Sequence, residues 1–250
     1  MISHDGSESE SGPGMSGAGT LPAVEPLGRE GLDEAAKLHV AELGEEFVSR
    51  FGVRFMARYY RAFVEGEDAR ALCVREGGEL VGVTVGATDA ARHYSYLARR
   101  HGPALAFEVL LAAARSPRLA AELVRTRLLR YVRGLVRVVF GATGGKKVPE
   151  DDSGSGEGPV GFAVYVAVRR GRRLSGTGRA LLSAFVAECE RAGAKRVDTA
   201  ARSGSAGERF FSSLGWERVE VRTSRSGERY ALFAKRLHPE VPTSRPGDVG

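Results

Sequence analysis

Apolar positions spaced three and four apart run through residues 32–43 and again through 53–64, so both stretches predict amphipathic helices. In the second, Tyr59 and Tyr60 accompany Phe55 and Phe63, which points to aromatic core packing. A short strand over 21–27 precedes them, despite Pro22 and Pro26. Residues 71–75 and 80–85 are apolar or alternating on either side of Glu76-Gly77-Gly78, the pattern of an antiparallel hairpin. Further on, 162–168 is a continuous apolar run typical of a buried strand. Residues 178–192 carry a helical stripe through Leu181, Leu182, Phe185, Val186 and Cys189, stopped by Gly193. A strand over 196–200, a helix over 205–214 ending at Gly215, and a strand pair over 216–223 and 230–236 complete the series. Two helices between strands, a hairpin, then alternating strand and helix define a mixed α/β domain.

The stretch between the hairpin and the buried strand breaks this rhythm. Residues 90–140 hold ten Arg against two acids, Glu108 and Glu122, although the whole chain carries a formal charge of only +6. An apolar helix over 104–114 is separated by Pro117 from a second helical pattern. There Arg118, Arg125, Arg130, Arg133 and Arg137 take one side, and Val124, Leu128, Tyr131, Leu135 and Val139 the other. This basic helical insertion is read as a solvated face over a packed stripe, or as a contact for an anionic partner or a membrane surface. No zinc finger, ribonucleoprotein motif or helix-turn-helix accompanies the charge, so nucleic acid is not the expected partner. Residues 141–158, rich in Gly, Ser and acids, read as a mobile loop.

Composition narrows the setting. Residues 1–20 contain five Ser and five Gly without an apolar segment, and with 238–250 they read as disordered tails around one domain over 21–237. Nothing resembles a signal peptide or a membrane span, which points to the cytoplasm. Cys73 and Cys189 fall inside a strand and a helix, as buried thiols of a reducing compartment do, and no metal-ligand spacing occurs. The chain has no Asn, no Gln and one Ile, a bias that suggests a GC-rich bacterial genome.

The strongest chemical signal is Arg173-Leu174-Ser175-Gly176-Thr177-Gly178-Arg179, between the buried strand and a helix. Glycines at a helix start let an anion approach the backbone, the amides and the dipole attract it, and Arg173 and Arg179 add charged donors. A Walker loop is rejected, because Gly144-Gly145-Lys146-Lys147 lies in the low-complexity stretch without the required spacing. A dinucleotide fingerprint would need glycine where Leu181 stands and a shorter loop after the strand, although Asp198 lies where a ribose-binding acid would.

Val166-Ala167-Val168, the basic loop, RxxGxG over 173–178 and the helix through Leu181 and Leu182 resemble the acetyl-coenzyme A motif of the GCN5-related N-acetyltransferases, the GNAT family. Phe210-Phe211-Ser212-Ser213-Leu214-Gly215-Trp216 is similar to that family's last helix and turn. The resemblance covers 160–237 and implies a mixed central sheet flanked by helices, here with a helical insertion before the cofactor-binding strand. It implies that the pyrophosphate of acetyl-CoA lies on the amides of Leu174, Ser175, Gly176, Thr177, Gly178 and Arg179, with Arg173 at the usual basic position. The pantetheine arm would pair with the backbone of Val166 and Val168 as an added strand.

The family's frequent catalytic Tyr corresponds to Phe211, its frequent Asn to Gly204 and its frequent Glu to Phe162. No catalytic side chain carries over. The implied activity is transfer of an acetyl group from acetyl-CoA to an unidentified primary amine by direct attack, with a non-catalytic acyl-CoA-binding sensor as the alternative. A third reading is a membrane- or nucleic-acid-associated protein acting through the basic helix. His93, Tyr94 and Tyr96, with Arg99, Arg100 and His101, follow the hairpin as a polar surface connection or as part of an acceptor pocket. Acceptor and oligomeric state stay open.

Overall fold

The computed structural model describes residues 22–126, 158–224 and 227–237. Seven strands form one sheet: β1 (Glu25–Pro26), β2 (Ala69–Glu76), β3 (Glu79–Ala87), β4 (Val160–Val168), β5 (Arg196–Arg202), β6 (Glu217–Thr223) and β7 (Arg229–Arg236). Their order is β1-β2-β3-β4-β5-β7-β6. Every neighbouring pair is antiparallel except β4 and β5. The expected hairpin, buried strand and terminal strand pair are all present, each a residue or two longer or shorter than its pattern indicates.

Helices cover both faces. Helices α1 (Leu32–Glu42) and α2 (Gly52–Glu65) lie on one, and Met56, Tyr60 and Phe63 of α2 are fully buried there. Helices α6 (Thr177–Arg191) and α7 (Ala206–Ser213) lie on the other, around Leu181, Phe185, Phe211 and Trp216. Strand β3 runs between the two cores and is buried at every position from Leu80 to Ala87, hence its lack of polar alternation.

Between β3 and β4 come α3 (Ala90–Arg100), α4 (Gly102–Arg115) and α5 (Pro117–Thr126), packed on the α1 and α2 side through Leu97, Leu105, Val109 and Leu119. Pro117 opens α5, as the sequence pattern anticipates. The rest of the basic stripe, including Arg130, Arg133 and Arg137, lies outside the described residues, as do both tails and the glycine-rich stretch apart from Gly158. Among the described residues no helix is long and apolar enough to cross a membrane.

One expectation is corrected. The segment holding His93, Tyr94 and Tyr96 is not a polar connection: it is helix α3, capped by the Asp89 carboxylate, which accepts from the Arg92 amide at 3.1 Å. His93 is buried, its ring 4.4 Å from that of Phe63.

Candidate active site

Strands β4 and β5 pair over only three positions, Val160 with Arg196, Gly161 with Val197 and Phe162 with Asp198. Beyond Phe162, β4 continues along β3 to Val168, and β5 continues along β7 to Arg202. The two central strands therefore diverge, and the main chain of β4 from Val164 to Val168 has no strand on its β5 side. Thr199 Oγ1 donates to the Ala163 carbonyl at 2.8 Å and closes the apex of the wedge. Just past it the register slips, Val85 facing Tyr165 and Gly86 facing Ala163, so Val164 is an extra residue that kinks β4. Val166 and Val168 are half-buried on the α6 side of this free edge.

The glycine loop leaves β4 at the open end of the wedge. A 3-10 turn over Arg170–Arg172 is followed by Leu174 in the left-handed region at φ 68°, fully exposed, and by Gly176 at φ 86°. A side chain at Gly176 would be strained, whereas glycine adopts this geometry freely. Gly176 is the N-cap of α6 and no side chain caps that end. The first amide of the helix to find a carbonyl is that of Ala180, on Gly176 at 2.9 Å, so the amides of Thr177, Gly178 and Arg179 are left for an anion. Ser175 Oγ donates to the Arg172 carbonyl at 2.6 Å and lies 2.8 Å from Thr177 Oγ1, which stiffens the turn. A Cβ on Gly178 would lie 3.3 Å from the ring of Phe210 and 3.7 Å from Val168, so the loop packs closely onto α7 and β4.

The loop arginines are not free donors. Arg169 pairs with Glu79 at 2.8 Å and Arg172 with Glu76 at 2.7 Å. Arg173 reaches Glu42 at 2.8 Å, and the same carboxylate accepts from the Arg170 amide at 3.0 Å. Arg179 is exposed and makes no ion pair with any described residue. Glu42 ends α1, and three residues later Glu45 pairs with Arg202 at 3.3 Å. The connection from α1 to α2 thus touches the loop after β4 and the end of β5, the two lips of the wedge. Sequence reasoning missed this strap, since its partners are separated by more than a hundred residues.

The positions that depart from the family pattern are apolar in context. Phe211 is buried, its ring 5.4 Å from Trp216 and 5.7 Å from Phe233; the neighbouring Phe210 is the ring beside the loop. Gly204 lies in the turn after β5 at φ 79°. Asp198 is ion-paired with Arg196 inside the sheet, its carboxyl pushed up by burial, so it offers no ribose-binding acid. Both cysteines are buried and free, their thiols pushed up by burial to about 11 for Cys73 and about 12 for Cys189.

On the α2 side of β4 lies a cluster the sequence did not assemble. His39 Nδ1 is 2.7 Å from the Tyr60 hydroxyl, and the His39 ring meets Tyr165 of β4 edge-on at 4.7 Å. Tyr59 stands 6.3 Å from Tyr165, ring to ring, with Tyr94 nearby. Burial lowers the His39 pKa to about 4 and raises that of Tyr94 to about 12. At neutral pH this face therefore presents a neutral imidazole and protonated phenols.

No family model matches the sequence, and no curated protein does. Solved structures do match the fold. Histone acetyltransferase HPA2 and related acetyltransferase from Corynebacterium glutamicum is 17% identical, with a TM-score of 0.50 over 90% of this chain and 100% of that one. Aminoglycoside 6'-acetyltransferase type Ii is 12% identical, with a TM-score of 0.51 over 87% of this chain and 98% of that one. An aminoglycoside 6'-N-acetyltransferase complexed with coenzyme A is 11% identical, with a TM-score of 0.51 over the same shares. The mixed seven-stranded sheet with its flanking helices is the fold of the GNAT acetyltransferases.

Proposed function

We propose that this protein is an acetyl-CoA-dependent N-acetyltransferase acting on a primary amine. The observation that carries the reading is the wedge between β4 and β5, open at the end where the uncapped α6 amides stand. The residues fit the ligand: Thr177, Gly178 and Arg179 offer amides to a pyrophosphate, and the free edge of β4 through Val166 and Val168 offers main-chain groups to the amides of an extended arm. Arg179 adds charge without having to leave a partner. Acetyl-CoA supplies an acyl group already activated as a thioester.

The chain's contribution is position more than proton transfer. Orientation alone supplies about 7 to 11 kcal/mol of a barrier, whereas a general acid or base supplies roughly 10²- to 10⁴-fold. Phe211 and Phe162 carry no proton, and His39 at about 4 is too weak a base for an ammonium. On this reading the acceptor arrives as the free amine, and the rate should rise with pH up to the acceptor's own pKa. Tyr59 and Tyr94, their phenols pushed up by burial, stay protonated on this side of β4.

The apolar Phe211 and Phe162 at the positions of the family's acid and base favour one second reading, a binder of acyl-CoA without turnover. Release of free thiol from acetyl-CoA across a panel of amino sugars, polyamines, peptides and amino acids decides between them. Turnover with any amine supports the enzyme; coenzyme A binding with no thiol release across the panel supports the binder.

A further inference from the structure

The 3-10 turn over Phe47–Phe51 and the joint between α4 and α5 enclose an open cleft of about 390 Å³. Arg50, Arg115 and Arg118 line it above a floor of Phe51, Ala112 and Leu119. Pockets of this size suit small metabolites.

The charge there is unusual for this chain. The arginines near it satisfy themselves: Arg54 and Arg58 both reach Glu108 of α4, at 3.5 and 2.9 Å. That carboxylate is 4% exposed, so it is consumed and shielded two turns before Arg115. Arg115 and Arg118 are exposed and have no ion pair with any described residue. Ser116, between them, caps α5 by accepting from the Leu119 amide at 3.4 Å. Pro117 has no N–H, and the Arg118 amide finds no carbonyl among the described residues, so that amide is open to an acceptor. Two guanidinium forks side by side, on Arg115 and Arg118, match an oxygen-rich dianion better than a single carboxylate. The apolar floor matches a carbon body.

We infer that this cleft binds a small organic phosphate monoester, its phosphate between Arg115 and Arg118 and its carbon body over Phe51 and Leu119. The inference does not depend on acetyl transfer, because none of these residues belongs to the wedge or the glycine loop.

The test is calorimetric titration of the full chain with phenyl phosphate, inorganic phosphate and benzoate, in saturating coenzyme A so that the glycine loop is filled. Phenyl phosphate should bind at one site, at least fivefold more tightly than either other probe. The double substitution Arg115→Ser and Arg118→Ser should weaken it at least tenfold and leave coenzyme A affinity within twofold. Arg115→Lys with Arg118→Lys, which keeps the charge and removes the forks, should fall between. Absence of saturable binding, equal affinity in the Ser variant, or inorganic phosphate binding as well as phenyl phosphate would overturn the assignment. If coenzyme A itself does not bind, the acetyltransferase reading fails, and the same titration on the Gly176→Glu protein still decides the cleft.

Discussion

The Glu42 carboxylate and the Arg173 guanidinium lie 2.8 Å apart, joining the end of α1 to the loop that follows β4. The carboxylate is 8% exposed on its side chain and also holds the Arg170 amide, so it both shapes the loop and neutralises its expected phosphate ligand. A pyrophosphate on the loop competes with Glu42 for Arg173.

Glu42→Gln keeps an oxygen for the Arg170 amide and removes the competing charge. Coenzyme A should then bind roughly 2- to 5-fold more tightly, the size of one favourable charge near a helix N-terminus. Titration calorimetry measures this, and unchanged or weaker binding would show that Arg173 has no part in holding the phosphate.

Phe211→Tyr restores the family's aromatic hydroxyl in the sequence but places it against Trp216 and Phe233. A buried hydroxyl without a partner costs about 1 to 3 kcal/mol, so the melting temperature should fall while the rate of acetyl transfer stays within twofold. A rise in rate would mean that the phenol reaches the leaving thiolate.

Acid stability follows from the histidines. Burial lowers His39 and His93 from 6.5 to about 4, so the folded state refuses protons that the unfolded chain accepts. Their contribution is present above pH 6.5 and is lost as the pH falls toward 4, at about 1.4 kcal/mol per unit for each group. Both nitrogens of His93 lack partners, so His93→Phe should pack on Phe63 at little cost and flatten the loss between pH 6.5 and 5. Thermal melts across that window check this, and parallel slopes for both proteins would refute it.

The sequence made the element order legible because each element carries its own local signal. The stripe through Leu181, Leu182 and Phe185, the glycines after Glu76 and the apolar run of β4 each specify one element within about a dozen residues. Helix α3 also had a signal, the Asp89 cap, but its polar residues hid a turn that buries only His93. What stayed hidden is long-range. Nothing local in Phe162 or Asp198 announces that pairing stops there, and the same chemistry gives no hint that Glu42 meets Arg173 or that His39 meets Tyr60. The left-handed turn at Gly176 was legible from the glycines of the loop, but the pairing of the loop arginines with Glu42, Glu76 and Glu79 was not.

The central claim is that the α6 amides and the glycine loop hold the pyrophosphate of coenzyme A. Calorimetry of coenzyme A binding to the wild-type chain and to Gly176→Glu tests it most directly. The substitution strains a residue at φ 86° by about 1 to 2 kcal/mol, which circular dichroism can show the fold survives, and it sets a carboxylate where the phosphate belongs. The account predicts one site on the wild type, weakened at least tenfold in the folded variant. No binding to the wild type, or equal affinity in the variant, would contradict it.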